Sequence, residues 1–192
     1  SQGVLQSIFE YQTMICKLTG MDVSNASLYD GASAAAEGVM MTLTRKRERV
    51  LAAATVHPEV LNTIRTYCWG RGIPFDVIPE KDGKLDLDAL NSLPEDTACV
   101  YLQHPNFYGL FEEAEKAAEL IHQAGAKAVM GVYPISLGLF KSPGEMGYDV
   151  AVGEGQPLGL PLSWGGPYLG FMTAKKDMMR SLPGRIVGET VD

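Results

Sequence analysis

The chain has 192 residues, 46% hydrophobic and 20% charged, the balance of a single globular domain large enough to bury a real core. A net charge of −7 argues against nucleic acid and against an anionic membrane surface as partners, and no apolar run reaches the roughly 18 residues of a membrane span. Three scattered cysteines (Cys16, Cys68 and Cys99) form neither a CxxC nor a metal-ligand spacing, so reduced thiols in the cytoplasm are expected, and the opening residues do not read as a signal peptide.

The elements follow from periodicity and punctuation. "VLQSIFEYQTMICKLTG" has apolar residues at helical spacing and stops on Gly20. "SAAAEGVMMTLTRK" is a second helix, with Ser33 near its cap and Ala-rich early turns. "RVLAAATV" predicts a strand, and "PEVLNTIRTYCWGRG" a helix with Pro58 in its first turn and Gly70 and Gly72 at its end. "PFDVIPE" is a strand, "KDGK" a turn, "DLDALNSL" a short helix and "ACVYLQHP" another strand. "EEAEKAAELIHQAG" is a helix, and "KAVMGVYP", "DVAVGEG" and "PYLGFMTA" are three further apolar strands. The chain opens inside a helical pattern and ends at "GETVD" with no closing element, so a piece of a longer protein is expected.

Strands rich in Val and Ala, without polar alternation, are buried on both faces. Their alternation with helices predicts a three-layer α/β domain with a mostly parallel sheet, whose ligands sit at the carboxyl ends of the strands. Three segments matter there. In "LYDGASAAAE" a small-residue turn, Gly31-Ala32-Ser33, feeds a helix N-terminus whose free N–H groups could cradle a phosphate; an ordinary capped helix packed through its alanines competes with that reading. The segment matches neither GxGxxG nor the Walker pattern. His57, in "ATVHPEV", follows a strand and could stack on a ring, or simply start a helix. "LQHPNFYG" carries His104 at another strand end, with Asn106, Phe107 and Tyr108 after it. His122 reads as a surface residue, and the acidic run "FEEAEKAAE" as a solvated helix face.

Three quotations carry a resemblance: "LTGMDVSNASLYDGASAAAEG", "VYLQHPNFYGLFEE" and "YPISLGLFKSPGEMGYDVAVGEGQPLGLPLSWGGPYLGF". In this order, and over essentially the whole chain, they resemble the glycine decarboxylase P-proteins, in particular subunit 1 of the two-subunit type. The resemblance implies the large domain of the aspartate-aminotransferase-like, fold type I pyridoxal-phosphate (PLP) enzymes. Residues 1–192 would be the central part of that domain, with an N-terminal segment and a C-terminal domain absent. The implied reaction is decarboxylation of glycine through PLP, with the aminomethyl group passed to the lipoyl arm of the H-protein.

The same resemblance implies that this chain does not perform the chemistry itself. Aligned on the glycine-rich loop "LPLSWGGP", Gln156 stands where the Schiff-base lysine belongs, and a glutamine cannot form an imine. Tyr133 stands where the acidic partner of the pyridine nitrogen belongs. Lys141, Lys175 and Lys176 fall in the wrong places to compensate. PLP is then bound covalently by the partner subunit and not by this chain, which keeps a vestigial cofactor site at Gly31, Ala32, Ser33 and His57. Its expected role is to complete the active site of subunit 2 in an α2β2 assembly. Trp164, Gly165 and Gly166, with Tyr108 and His104, are candidates for the shared site, and self-association of the chain is a further expectation. Two other readings are weighed. An independent PLP enzyme with "TVHPEV" as its ring-stacking segment lacks the lysine. A nucleotide-binding module using Gly31 to Ser33 lacks an acidic residue at the end of "RVLAAATV" to hold a ribose.

Overall fold

The structure, a computed structural model, describes residues 2–190. Helix α1 spans Gln2–Thr19 and strand β1 Val23–Ser24. Helix α2 follows at Gly31–Met40, strand β2 at Arg49–Ala53, helix α3 at Pro58–Arg71 and strand β3 at Phe75–Ile78. A small hairpin, β4 at Glu80–Lys81 and β5 at Lys84–Leu85, turns on Asp82 and Gly83, both left-handed. Strand β6 covers Thr97–His104, helix α4 Ala114–Gln123, strand β7 Lys127–Val132, strand β8 Val150–Glu154 and strand β9 Gly170–Ala174.

Seven strands form the main sheet in the order β1-β9-β8-β7-β6-β2-β3. The neighbours β3, β2, β6, β7 and β8 pair in parallel, whereas β9 runs antiparallel to β8 and β1 antiparallel to β9. From β2 the chain steps to β3 in one direction; from β6 it steps to β7 and β8 in the other. Right-handed crossovers therefore put α3 and α4 on opposite faces. Helix α2 packs on α3 and against β8 and β9, so it shares the face of α3. The sheet sits between these layers as the core, with Leu102, Met130, Val150 and Phe171 fully buried. The reversal of winding between β2 and β6 opens a crevice at the carboxyl ends of the strands, where this topology places ligands.

The predicted three layers and the apolar strands hold, and four local expectations change. Helix α2 stops at Met40 rather than continuing to Lys46. The Thr42 hydroxyl donates to the carbonyl of Val39 at 2.7 Å and competes with further helix, and Thr44 and Arg47 exchange backbone bonds. "DLDALNSL" makes a 3-10 turn over Leu87–Ser92 instead of an α-helix. "PYLGFMTA" is a strand from Gly170 onward, because Tyr168 adopts a left-handed backbone that breaks the extended run. Helix α4 begins at Ala114, after the acidic pair: Glu112 is buried, not solvated.

Glu112 is held by three donors. It accepts from the Thr55 hydroxyl at 2.7 Å, from the Asn106 amide at 2.9 Å and from the Leu85 N–H at 2.9 Å. One carboxylate thus ties the end of β2, the hairpin and the loop after β6 together. His122 is a surface residue, as expected. Its Nε2 lies 2.7 Å from Oδ2 of buried Asp149, which accepts the Ala128 N–H at 2.8 Å and pairs with Lys127 at 3.1 Å.

Candidate functional site

A cavity of about 500 Å³ opens at the carboxyl ends of β6, β7 and β8, walled by the starts of α2 and α3. Gly31 and Ala32 line it at the first turn of α2, His57 at the start of α3, and Tyr133 at the end of β7. Glycine at 31 suits the close approach there, since a Cβ at this position would lie 3.0 Å from the backbone nitrogen of Glu154.

The turn at the start of α2 is closed by the chain's own carboxylates. Asp30 is its cap, accepting the Ser33 N–H at 2.8 Å on Oδ1 and the Ser33 hydroxyl at 2.8 Å on Oδ2. From the far side of the sheet sequence, Glu154 accepts the Gly31 N–H at 3.0 Å. Its other oxygen accepts the N–H groups of Gln156 at 2.9 Å and Leu169 at 2.7 Å. Glu154 therefore stitches α2 to the glycine-rich segment. The N–H groups of Gly31 and Ser33, which a phosphate would need, are already satisfied by negative charge.

His57 caps α3, accepting the Glu59 N–H on Nδ1 at 3.2 Å and donating its own N–H to Gln103 at 2.9 Å. Its ring meets Phe107 edge-on at 5.0 Å. His104 ends β6 but lies outside the cavity lining; its Nδ1 accepts the Glu112 N–H at 3.3 Å and its ring meets Phe111 edge-on at 5.1 Å. Burial pushes its pKa down, partly opposed by the charge of Glu112. Tyr108 is exposed beyond this loop, its ring 5.9 Å from Phe107.

Gln156 opens the 3-10 turn Gln156–Leu158 and is not among the residues lining the cavity. Its Oε1 accepts the Tyr168 N–H at 3.0 Å, and its side chain lies against Gly166, where a Cβ would come within 2.5 Å of it. Ser163, Trp164, Gly165 and Gly166 all have positive φ, and the Trp164 indole stands fully in solvent at the tip of this loop. The structure thus brings Gly31, Ala32, His57 and Tyr133 together in one crevice. It leaves Tyr108 and the Trp164 loop outside it.

Among the described residues no lysine lines the crevice. Lys141 is exposed and paired with Glu115 at 2.6 Å. Lys175 and Lys176 follow antiparallel β9 and so fall at the opposite end of the sheet, where Lys175 lies 3.9 Å from Asp149. Sequence reasoning missed Asp30, Tyr101, Gln103 and Glu154, which also line the cavity. Glu154 had one legible signal, being the single charged side chain between Val152 and Phe171.

Comparison with known proteins gives this crevice a lineage. The family model of the glycine cleavage system P-protein matches residues 1–192. A probable glycine dehydrogenase (decarboxylating) subunit 1 from Carboxydothermus hydrogenoformans is 54% identical over 194 residues, and its counterpart from Desulforamulus reducens 55%. All of this chain is covered in both, and the chain spans 44% of the length of these curated relatives. A crystal structure of glycine decarboxylase (P-protein) of the glycine cleavage system superposes on the whole chain with a TM-score of 0.94 at 47% identity, covering 44% of that chain. An aspartate aminotransferase from Thermus thermophilus shares the fold, with a TM-score of 0.72 at 15% identity over 96% of this chain and 52% of its own. The chain belongs to the glycine cleavage system P-protein family, with its whole length matching subunit 1 of the glycine dehydrogenases (decarboxylating).

Proposed function

We propose that these residues are the central part of the large domain of a non-catalytic P-protein subunit, one that completes and supports the active site of its partner, subunit 2. The assembly is an α2β2 heterotetramer in the cytoplasm. It decarboxylates glycine with PLP held covalently by the partner, and hands the aminomethyl group to the lipoyl arm of the H-protein. PLP supplies an electron sink for the carbanion left by decarboxylation.

The residues of this chain do not fit PLP. A phosphate at the start of α2 would face Asp30 and Glu154 and find the Gly31 and Ser33 N–H groups already taken. No amine lines the crevice among the described residues, Gln156 being bonded elsewhere, and Tyr133 offers no carboxylate to a ring nitrogen.

The observation that carries the reading is the surface beside it. Leu139, Leu162 and Trp164 project from the loops after β7 and β8, at 85%, 76% and 107% exposure. Apolar side chains clustered on adjoining loops mark an interface. Helix α1, with Val4, Leu5 and Met14 exposed, packs against the 3-10 turn Pro134–Gly138, which in turn packs on Gln156–Leu158. Trp164, Gly165 and Gly166, with Tyr108 on the loop after β6, are the residues proposed to face the partner's site, and without that partner the chain would self-associate.

The test is reconstitution. Full-length subunits 1 and 2 are assayed apart and together, with H-protein, for exchange of labelled CO2 into the glycine carboxyl group. Activity is expected from the pair and from neither alone. Full activity of subunit 2 alone would overturn the reading.

A further inference from the structure

We infer that the crevice is a binding site in its own right, taking an uncharged or cationic ring-bearing molecule that accepts a hydrogen bond from Tyr101, and that it turns away phosphate esters. This goes beyond the subunit's supporting role and does not rest on it.

The first observation is a donor that faces the cavity. Tyr101 lies on β6, is 3% exposed, and forms part of the cavity wall. Its hydroxyl has no hydrogen-bond partner among the described residues, and it lies directly over Gly131, where a Cβ would overlap the phenol oxygen. The phenol oxygen opens to the cavity, so its hydrogen bond goes to what fills that space, a water or a ligand. The neighbouring polar groups make their bonds elsewhere. The Gln103 amide accepts from His57 at 2.9 Å and donates to the Pro105 carbonyl at 3.3 Å. Both oxygens of Asp30 are used by Ser33, and both of Glu154 by three backbone N–H groups. The Tyr101 O–H points to a partner that enters the cavity.

The second observation is charge. The charged side chains on the lining are Asp30, Glu59 and Glu154, with no lysine or arginine among the described residues. An anion entering would meet like charge from several sides; a neutral or positive group would not. The third is shape. At about 500 Å³ the cavity has the size of ordinary small-molecule sites. Glycines at 131 and 153 keep the strand ends low, and the half-exposed Tyr133 and Tyr168 stand at the wall, offering aromatic faces to a planar ring and to a cation.

The experiment uses the full-length subunit and a ring-matched series: benzamide, 4-(aminomethyl)benzamide and phenyl phosphate, titrated by ligand-observed NMR at constant ionic strength. Benzamide is expected to bind saturably, its aminomethyl derivative at least as well, and phenyl phosphate at least about tenfold more weakly. Tyr101→Phe should weaken benzamide by roughly three- to tenfold. The same variant should be no less stable than the wild type in urea, because the hydroxyl it loses has no partner inside the protein. Phenyl phosphate binding as tightly as benzamide, benzamide affinity unchanged in Tyr101→Phe, or no saturable binding of benzamide would each overturn the inference. None of those results touches the partner-completing role, which stands or falls on the CO2 exchange.

Discussion

Replacing Glu154 by alanine removes one side chain and leaves three backbone donors unmet: Gly31 at 3.0 Å, Gln156 at 2.9 Å and Leu169 at 2.7 Å. Hydrogen bonds to a charged group contribute about 1.5–3 kcal/mol each, but Glu154 is half-buried and water reaches part of the gap, so about 1 kcal/mol per bond is the appropriate figure. The sum is about 3 kcal/mol, or roughly 6–12 °C in Tm for a chain of this size. Glu154→Gln keeps one acceptor oxygen and should recover about half. Urea unfolding followed by circular dichroism measures both variants. A second readout separates a lost stitch from an opened cradle. In Glu154→Ala the freed N–H groups at the positive end of α2 can take an anion, so added sulfate should raise its Tm by more than the general salt effect seen in the wild type. A loss below about 1 kcal/mol, or an identical sulfate response in the two proteins, would refute the argument that this carboxylate occupies the anion position.

Three other outcomes follow from the same structure. Glu112→Ala strands the donors of Thr55, Asn106 and Leu85 in a buried site, so it should cost about 3–5 kcal/mol in urea unfolding and loosen the loop 105–111, read as faster amide exchange there. For Asp149, burial raises the pKa, but the Ala128 N–H, His122 and Lys127 together pull it below the ordinary 3.8. With the folded value depressed, its stabilisation is complete above about pH 4 and fades as the pH falls through the folded value. The stability gap between wild type and Asp149→Asn should therefore be present above about pH 4 and close as the pH falls below it. Incubation with PLP and borohydride should leave no stoichiometric adduct on Lys141, Lys175 or Lys176, checked by peptide mass mapping, and Gln156→Lys should gain no activity because Tyr133 offers no carboxylate to a ring nitrogen.

Much of the architecture was legible because it is written in local patterns. Helix α3 starts at Pro58 and stops on Gly72, which adopts the left-handed backbone its position demands. The continuous apolar runs of β6, β7 and β8 are buried as a sheet covered on both faces must be. That no amine stands at position 156 is a fact of covalent chemistry and needs no coordinates. The crevice itself belongs to tertiary structure. Glu154 reaches Gly31 across 123 residues, and Tyr101 is left unpaired because β6 lies beside a glycine of β7; neither relation has a signature in spacing or periodicity. Glu112 sits in an acidic run that reads as solvated, and it is buried because α4 starts two residues later and the hairpin β4–β5 folds over it. Periodicity reports which face of an element is apolar. Which strand neighbours which, and which carboxylate meets which helix end, depends on the order in which the crossovers wind, and that is decided only when the sheet closes.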